Sequence, residues 1–211
     1  LVGVARIRVN NNMVAWFKES SPIRTADRAL NHDLGGTATL YLVVDAGRED
    51  AIKDPKVLAW IEALQRALGS NSDVGKTTSL VDYVKRAHWA LHDNDPRELR
   101  IPDSAAAVAQ EVLLLSTAVR PRDLDNVVDY PFRKANVHVQ LKTWDAQKTR
   151  ALIHDVETWT AAHPLEGVSV APAGVAAFNV VWNDLVLVGM VEGFAASSVM
   201  VLVLLVVGYR S

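Results

Sequence analysis

The chain has 211 residues, enough for one large domain or two small ones with a real core. Its 22 basic and 24 acidic residues are well mixed and sum to −2, which points away from nucleic acid as a partner. The absence of cysteine removes disulfides, thiol catalysis and thiolate metal sites, and suits either a reducing or an oxidising compartment. The opening Leu1-Val2-Gly3-Val4-Ala5-Arg6 lacks a methionine, a basic n-region and a long apolar stretch, so it does not read as a signal peptide. A chain that opens in this way and stops just past an apolar run reads as a fragment.

Ala5–Val9 alternates Ile7 and Val9 against Arg6 and Arg8, the pattern of a short strand. Asn10-Asn11-Asn12 breaks it, and an apolar segment, Met13–Phe17, follows. Ser20-Ser21-Pro22 offers a helix cap with proline in the first turn; Ile23, Ala26, Leu30 and Leu34 form the expected inward face, and Gly35-Gly36 ends the helix. Thr37–Val44, β-branched and apolar, reads as a strand. Asp54-Pro55 starts a helix with an inward stripe of Val57, Leu58, Ile61, Leu64, Ala67 and Leu68. Asn71–Asp73 is a turn, and Val74–Leu80 fits either a short strand or the approach to the helix of Val81–Leu91. His92–Pro96 is a loop. Pro102-Asp103-Ser104 caps a helix over Ala105–Val119 with Val108, Val112 and Leu115 on one face, and Arg120–Asp123 ends it. The segment from there to Arg133 reads as loop. Ala135–Lys142 alternates Val137, Val139 and Leu141 against His138, Gln140 and Lys142, a strand with one wet face. Asp145 caps a helix over Ala146–Ala161 carrying Leu152, Val156 and Trp159, and Val168–Val170 is a short strand. The expectation is an α+β body with two ferredoxin-like strand-helix-strand units flanking a helical middle.

Pro172-Ala173-Gly174 turns the chain toward its most apolar stretch, Asn183–Ser211. Gly193–Tyr209 carries no charge and Arg210 closes it. At about 1.5 Å per residue this run spans about 25 Å, close to a hydrocarbon core of about 30 Å. The apolar approach over Leu185–Val191 allows a tilted crossing. A buried core helix of a soluble protein is the competing reading, and the length of the uncharged run weighs against it. Trp182 stands where an interfacial anchor belongs. Glu192 either snorkels to the interface or faces a protein-lined path; its place near the outer end favours the interface. Gly193, Ala196 and Ser197 beside it suit close packing against other helices. Arg210, as a positive-inside residue, would place Leu1–Asp184 outside the cytoplasm.

Signals for chemistry are sparse. Val74-Gly75-Lys76-Thr77-Thr78 holds the Gly-Lys-Thr of a phosphate loop, but the required glycine five places earlier is Ser70. His88 and His92 have the spacing of a zinc pair, with Asp93 and Asp95 nearby, yet Trp89 stands where a metalloprotease has Glu, and surface histidines at a helix end fit better. There is no Gly-x-Ser-x-Gly elbow to nominate a nucleophile. Trp16, Trp60, Trp89, Trp144 and Trp159 read as core packing. No catalytic, cofactor-binding or metal-binding residue is assigned, no cofactor is expected, and the chain is not expected to be an enzyme.

Several spaced stretches do form a pattern. Arg6–Phe17, Ser21-Pro22-Ile23-Arg24-Thr25-Ala26-Asp27, Gly35-Gly36-Thr37, Val74-Gly75-Lys76, Ser79–Lys85 and the closing Tyr209-Arg210-Ser211 together resemble an RND-superfamily exporter, more narrowly its MMPL-like or predicted-exporter branch. The usual closing triplet has Phe where Tyr209 stands. The resemblance implies a porter-like extracytoplasmic domain over residues 1–178, of what would be the second of two repeats. A transmembrane helix and its approach would follow over 179–211. It also implies proton-driven export of lipids or other hydrophobic compounds from the inner membrane, with proton-relay residues on helices outside this sequence. The implied partners are a hydrophobic or lipid substrate, the bilayer, the remaining helices and first repeat of the transporter, and a possible second copy in a homo-oligomer; no nucleic acid is expected. The competing function is a self-contained membrane-anchored binding or scaffolding domain.

Overall fold

A computed structural model describes residues 12–118 and 124–210. The strand expected at Ala5–Val9 and the helix stop at Arg120–Asp123 lie outside these residues. The elements run α1 (Pro22–Asp33), β1 (Ala38–Asp45), α2 (Pro55–Gly69), β2 (Val74–Thr78), α3 (Leu80–Leu91), α4 (Ala105–Ala118), β3 (Lys134–Leu141), α5 (Ala146–Ala162), β4 (Ser169–Ala173) and α6 (Gly174–Tyr209). Single 3-10 turns lie at Met13–Trp16, Ala51–Lys53 and Pro96–Glu98.

Local chemistry sets the helix starts. Ser21 Oγ accepts from the Arg24 amide at 3.3 Å, Asp54 from Lys56 at 2.9 Å, and Asp145 from Gln147 at 2.8 Å, each satisfying an amide that the first turn leaves open. Ser79 and Asp82 form a reciprocal capping box ahead of α3.

The four strands form one antiparallel sheet in the order β2-β3-β1-β4. Both long crossovers skip a strand: α2 carries the chain from β1 past β3 to β2, and α5 carries it from β3 past β1 to β4. The two strand-helix-strand units are therefore interleaved in one sheet, where the sequence suggested two units on either side of a helical middle. The segment Val74–Leu80, ambiguous in sequence, provides the edge strand β2. Strands β1 and β3 alternate buried and half-buried residues. Ala38, Leu40, Leu42 and Val44 meet Ala135, Val137, Val139 and Leu141 on the covered face. Helix α2 lays Val57, Leu58, Ile61, Leu64 and Leu68 on that face, and Trp60 meets Trp159 of α5 edge to face at 5.1 Å. Each fully buried Leu or Ile contributes about 1.5–3 kcal/mol, against about 1 kcal/mol net for a hydrogen bond, so apolar burial dominates what holds the helices to the sheet.

Helix α1 departs from expectation. None of its residues is buried, and Ile23, Leu30 and Leu34 are 46%, 43% and 61% exposed. Its polar side faces the body instead, where Asp27 and Asn31 accept from the hydroxyl and amide of Thr37 just ahead of β1. Trp16 is likewise exposed rather than core-packed. The other face of β3 is half-buried rather than wet: Tyr41 lies 5.0 Å from the His138 ring, and Asn136 Nδ2 donates to the Asn126 carbonyl at 2.9 Å.

The Gly-Lys-Thr stretch has a structural explanation. Gly35 (φ +81°) and Gly36 (φ +143°) carry the loop into β1 across the edge of the sheet, and a Cβ on Gly75 would stand 1.5 Å from the Gly35 carbonyl oxygen. The glycines let two backbones touch. Gly75→Ala is accordingly expected to cost about 3 kcal/mol or more in denaturant unfolding. Gly69→Ala, whose Cβ would meet nothing within 4 Å, should be neutral or stabilising by about 0.5–1 kcal/mol.

Candidate functional site at the root of the long helix

Helix α6 starts directly from β4 with no linker. Gly174 (φ +86°) makes the turn, and a Cβ there would lie 2.8 Å from the Tyr41 ring. The first turns then bury Ala176, Ala177, Asn179, Val180 and Asn183 against the body. Phe178 and Trp182 point outward, stacked at 6.0 Å. At 36 residues the helix is about 54 Å long. It is the one helix among the described residues that is long and apolar enough to cross a membrane, and none of its most apolar window is buried. Counting about 30 Å back from Arg210, the thickness of a hydrocarbon core, reaches Met190, two residues before Glu192.

A chain of polar contacts ties α1, the sheet and α6 together. Thr37 Oγ1 donates to Asp27 Oδ1 at 2.7 Å, and the Thr37 amide donates to Asn31 Oδ1 at 3.1 Å. Trp144 Nε1 donates to Thr37 Oγ1 at 3.0 Å. Asn179 Nδ2 reaches the Trp144 carbonyl at 3.4 Å, and Asn183 Nδ2 reaches Asn179 Oδ1 at 3.5 Å. Asn183 is 3% exposed, so its amide depends on this arrangement. One residue on, the guanidinium of Arg150 on α5 grips Asp184 in a two-pronged pair at 2.9 and 2.6 Å.

Beside this junction a groove of about 900 Å³ runs between α5 and α6. Ala151, Ala177, Phe178 and Val181 supply much of its apolar lining; Arg150, Asp184, His154 and Glu157 add polar groups. Its volume falls in the range that accepts drug-sized or acyl-chain ligands. An apolar wall with a few charged groups suits an amphiphile better than a fully polar solute.

The residues singled out in the sequence are dispersed. Gly75-Lys76-Thr77 lies in an edge strand and offers no phosphate cradle at a helix start. His88 and His92 do meet, their rings tilted with centroids 4.2 Å apart, but His88 is buried rather than on the surface, held between two carboxylates on opposite ring nitrogens. No group of three metal-binding side chains occurs among the described residues. Trp182 is 48% exposed on the outer side of α6, where it joins Phe178. Glu192 is exposed along the helix, beside Gly193. The Asn179–Asn183 pair was visible as two amides at helical spacing near an apolar run. The Arg150–Asp184 pair, 34 residues apart, carried no local signal. The chain matches no protein-family model and none of the curated proteins with which it was compared.

Two measurements test the junction. Thr37→Val removes the donor to Asp27 and the acceptor for Trp144, and should cost about 1–3 kcal/mol in denaturant unfolding. On the half-open face of the sheet, burial holds the His138 imidazole below its usual 6.5, and the Lys76 ammonium adds to this. Its Nε2 has no partner. The unfolded chain thus takes up this proton first as pH falls through about 6.5, so stability drops below that point until the folded ring also protonates. Subtracting the unfolding free energy of His138→Gln from that of the wild type, across about pH 5 to 8, should reveal this step. A flat difference would refute the assignment.

Proposed function

We propose that the chain is the extracytoplasmic substrate-handling domain, with the following transmembrane helix, of an MMPL-like RND-superfamily exporter that moves lipids or other hydrophobic compounds across the inner membrane at the expense of a proton gradient. In this reading the sheet order, with both crossovers skipping a strand, is a ferredoxin-like porter unit, enlarged by α3 and α4 between β2 and β3. The observation that carries the proposal is the linker-free splice of β4 into α6, which joins an amphiphile-sized groove to a membrane-length helix. Supporting it, stretches that make up the resemblance meet in space: Asp27 with Thr37, and Gly35 with Gly75. The domain would act by rocking as a rigid body with its helix, performing no covalent chemistry, while proton transfer takes place on other helices. The body would lie on the periplasmic side, Glu192 at the outer interface and Arg210 at the inner one.

The lack of cysteine makes topology mapping free of background. In sealed vesicles, a membrane-impermeant maleimide should label Glu157→Cys from the side of the soluble body and Tyr209→Cys only from the opposite side. Labelling of both from one side would rule out a span. A photoreactive benzoylphenylalanine at Phe178 should form lipid adducts, whereas one at Arg66, exposed on α2, should not. Equal adducts at both positions would remove the groove from the pathway and favour a simple anchored domain.

A further inference from the structure

A line of alternating charge runs inward from the surface on the α3–α4 side. Asp103, exposed, accepts from Arg100 Nη1 at 2.9 Å. Arg100 Nε donates to Glu98 Oε2 at 2.9 Å, and the same oxygen lies 3.2 Å from His88 Nε2. On the other side of the ring, Nδ1 is 2.6 Å from Glu111 Oε1. His88 and Glu111 are each 6% exposed, and Glu111 Oε2 is buried with no partner. The carboxylates face opposite nitrogens, so no single point could hold a metal ion between them. Only a ring carrying both protons can donate to both. A buried carboxylate without a counter-charge is strongly disfavoured, so Glu111 depends on the imidazolium.

We propose that His88 is a protonation-controlled clasp that fastens α4 and the Pro96–Glu98 turn to α3, and so sets the width of the cleft beside it. That cleft, about 600 Å³, lies between the edge strand β2 and α3 and includes Lys76, Tyr83, Arg86 and Ala87; Leu115, one helical turn beyond Glu111, is its α4 wall. With two ring protons, Glu111 and Leu115 are drawn onto α3. When the ring gives one proton up to solvent, one nitrogen presents a lone pair to a carboxylate oxygen. Glu111 then keeps at most a neutral donor, and the α4 wall loosens. The other groups near the ring fit this account. His92 lies tilted against it but spends its Nδ1 on the His88 carbonyl at 2.7 Å. On the α2 side Glu62 is paired with Lys85, and Asp82 is taken by Gln65 and the Ser79 amide. On β3, His138 lies against Tyr41. The inference does not require the exporter reading.

The test uses the full chain in nanodiscs. Imidazole ¹⁵N shifts at about pH 5 and about pH 8 report which ring nitrogens of His88 carry a proton at each. Hydrogen-exchange protection of α4 amides, corrected for intrinsic rates, should fall on loss of one ring proton by roughly tenfold to a hundredfold, the loss expected for a charge-assisted bond. His88→Gln, uncharged and with both donor protons on one nitrogen where the carboxylates face opposite sides of the ring, should show the weaker protection at both pH values. Glu111→Gln should remove most of the pH step. A His88 ring that is neutral at both pH values, or α4 protection that does not change while the ring loses its proton, would overturn the proposal.

Discussion

Gly174 sits against the ring of Tyr41 closer than any β-carbon could, and the course of the long helix depends on that contact. Because the turn out of β4 is this tight, the first turns of α6 are pressed onto β1 and α5. They become a layer of the core before the helix leaves the body. One rod therefore has two environments: its root buries Ala176, Ala177 and Val180, while its far half presents Val, Leu and Met on every side. A flexible linker would let body and helix tilt independently. Here a change in helix tilt must either carry the sheet along or break the contacts at Trp144, Asn179 and Arg150.

The polar tie also explains the orientation of α1. Thr37 precedes β1; its amide donates both to the Leu141 carbonyl of β3 at 3.2 Å and to Asn31, and Asp27 accepts from its hydroxyl. These contacts outweigh the apolar stripe. Ile23, Leu30 and Leu34 remain outward because turning them in would take Asp27 away from the Thr37 hydroxyl, at about 1–3 kcal/mol for the unsatisfied group, while the amide would keep the Leu141 carbonyl. An amphipathic pattern specifies two faces, and the anchoring contacts decide which of them is inside.

What was legible in the sequence was mostly local. Ser21-Pro22, Asp54-Pro55 and Asp145 mark helix starts because a cap and its amide lie within three residues of each other. The period-2 alternation of Val137, Val139 and Leu141 marks a strand because one side of it is buried. Pairings were not legible. β1 meets β3 about a hundred residues later, with Ala38 opposite Leu141, and no local pattern encodes that register. Strand β2 was ambiguous because, of its five residues, only Val74 is buried. His88 looked like a surface residue because its partners, Glu98 and Glu111, come from a turn and a helix that fold back over it.

The interleaved strand order has a bearing on biosynthesis. The central strand β1 is made early, but both of its neighbours, β3 and β4, are made late, and β4 ends at the residue before α6 begins. Only β2 and β3 pair as consecutive strands, with α3 and α4 between them, so the sheet is complete only after Ala173 has been synthesised. By then the ribosome is already producing the apolar helix. Pairings this distant are slow and leave strand edges exposed while they wait. Completion of the body and emergence of the apolar helix therefore fall in the same interval, and a delay in the first leaves both in an aggregation-prone state.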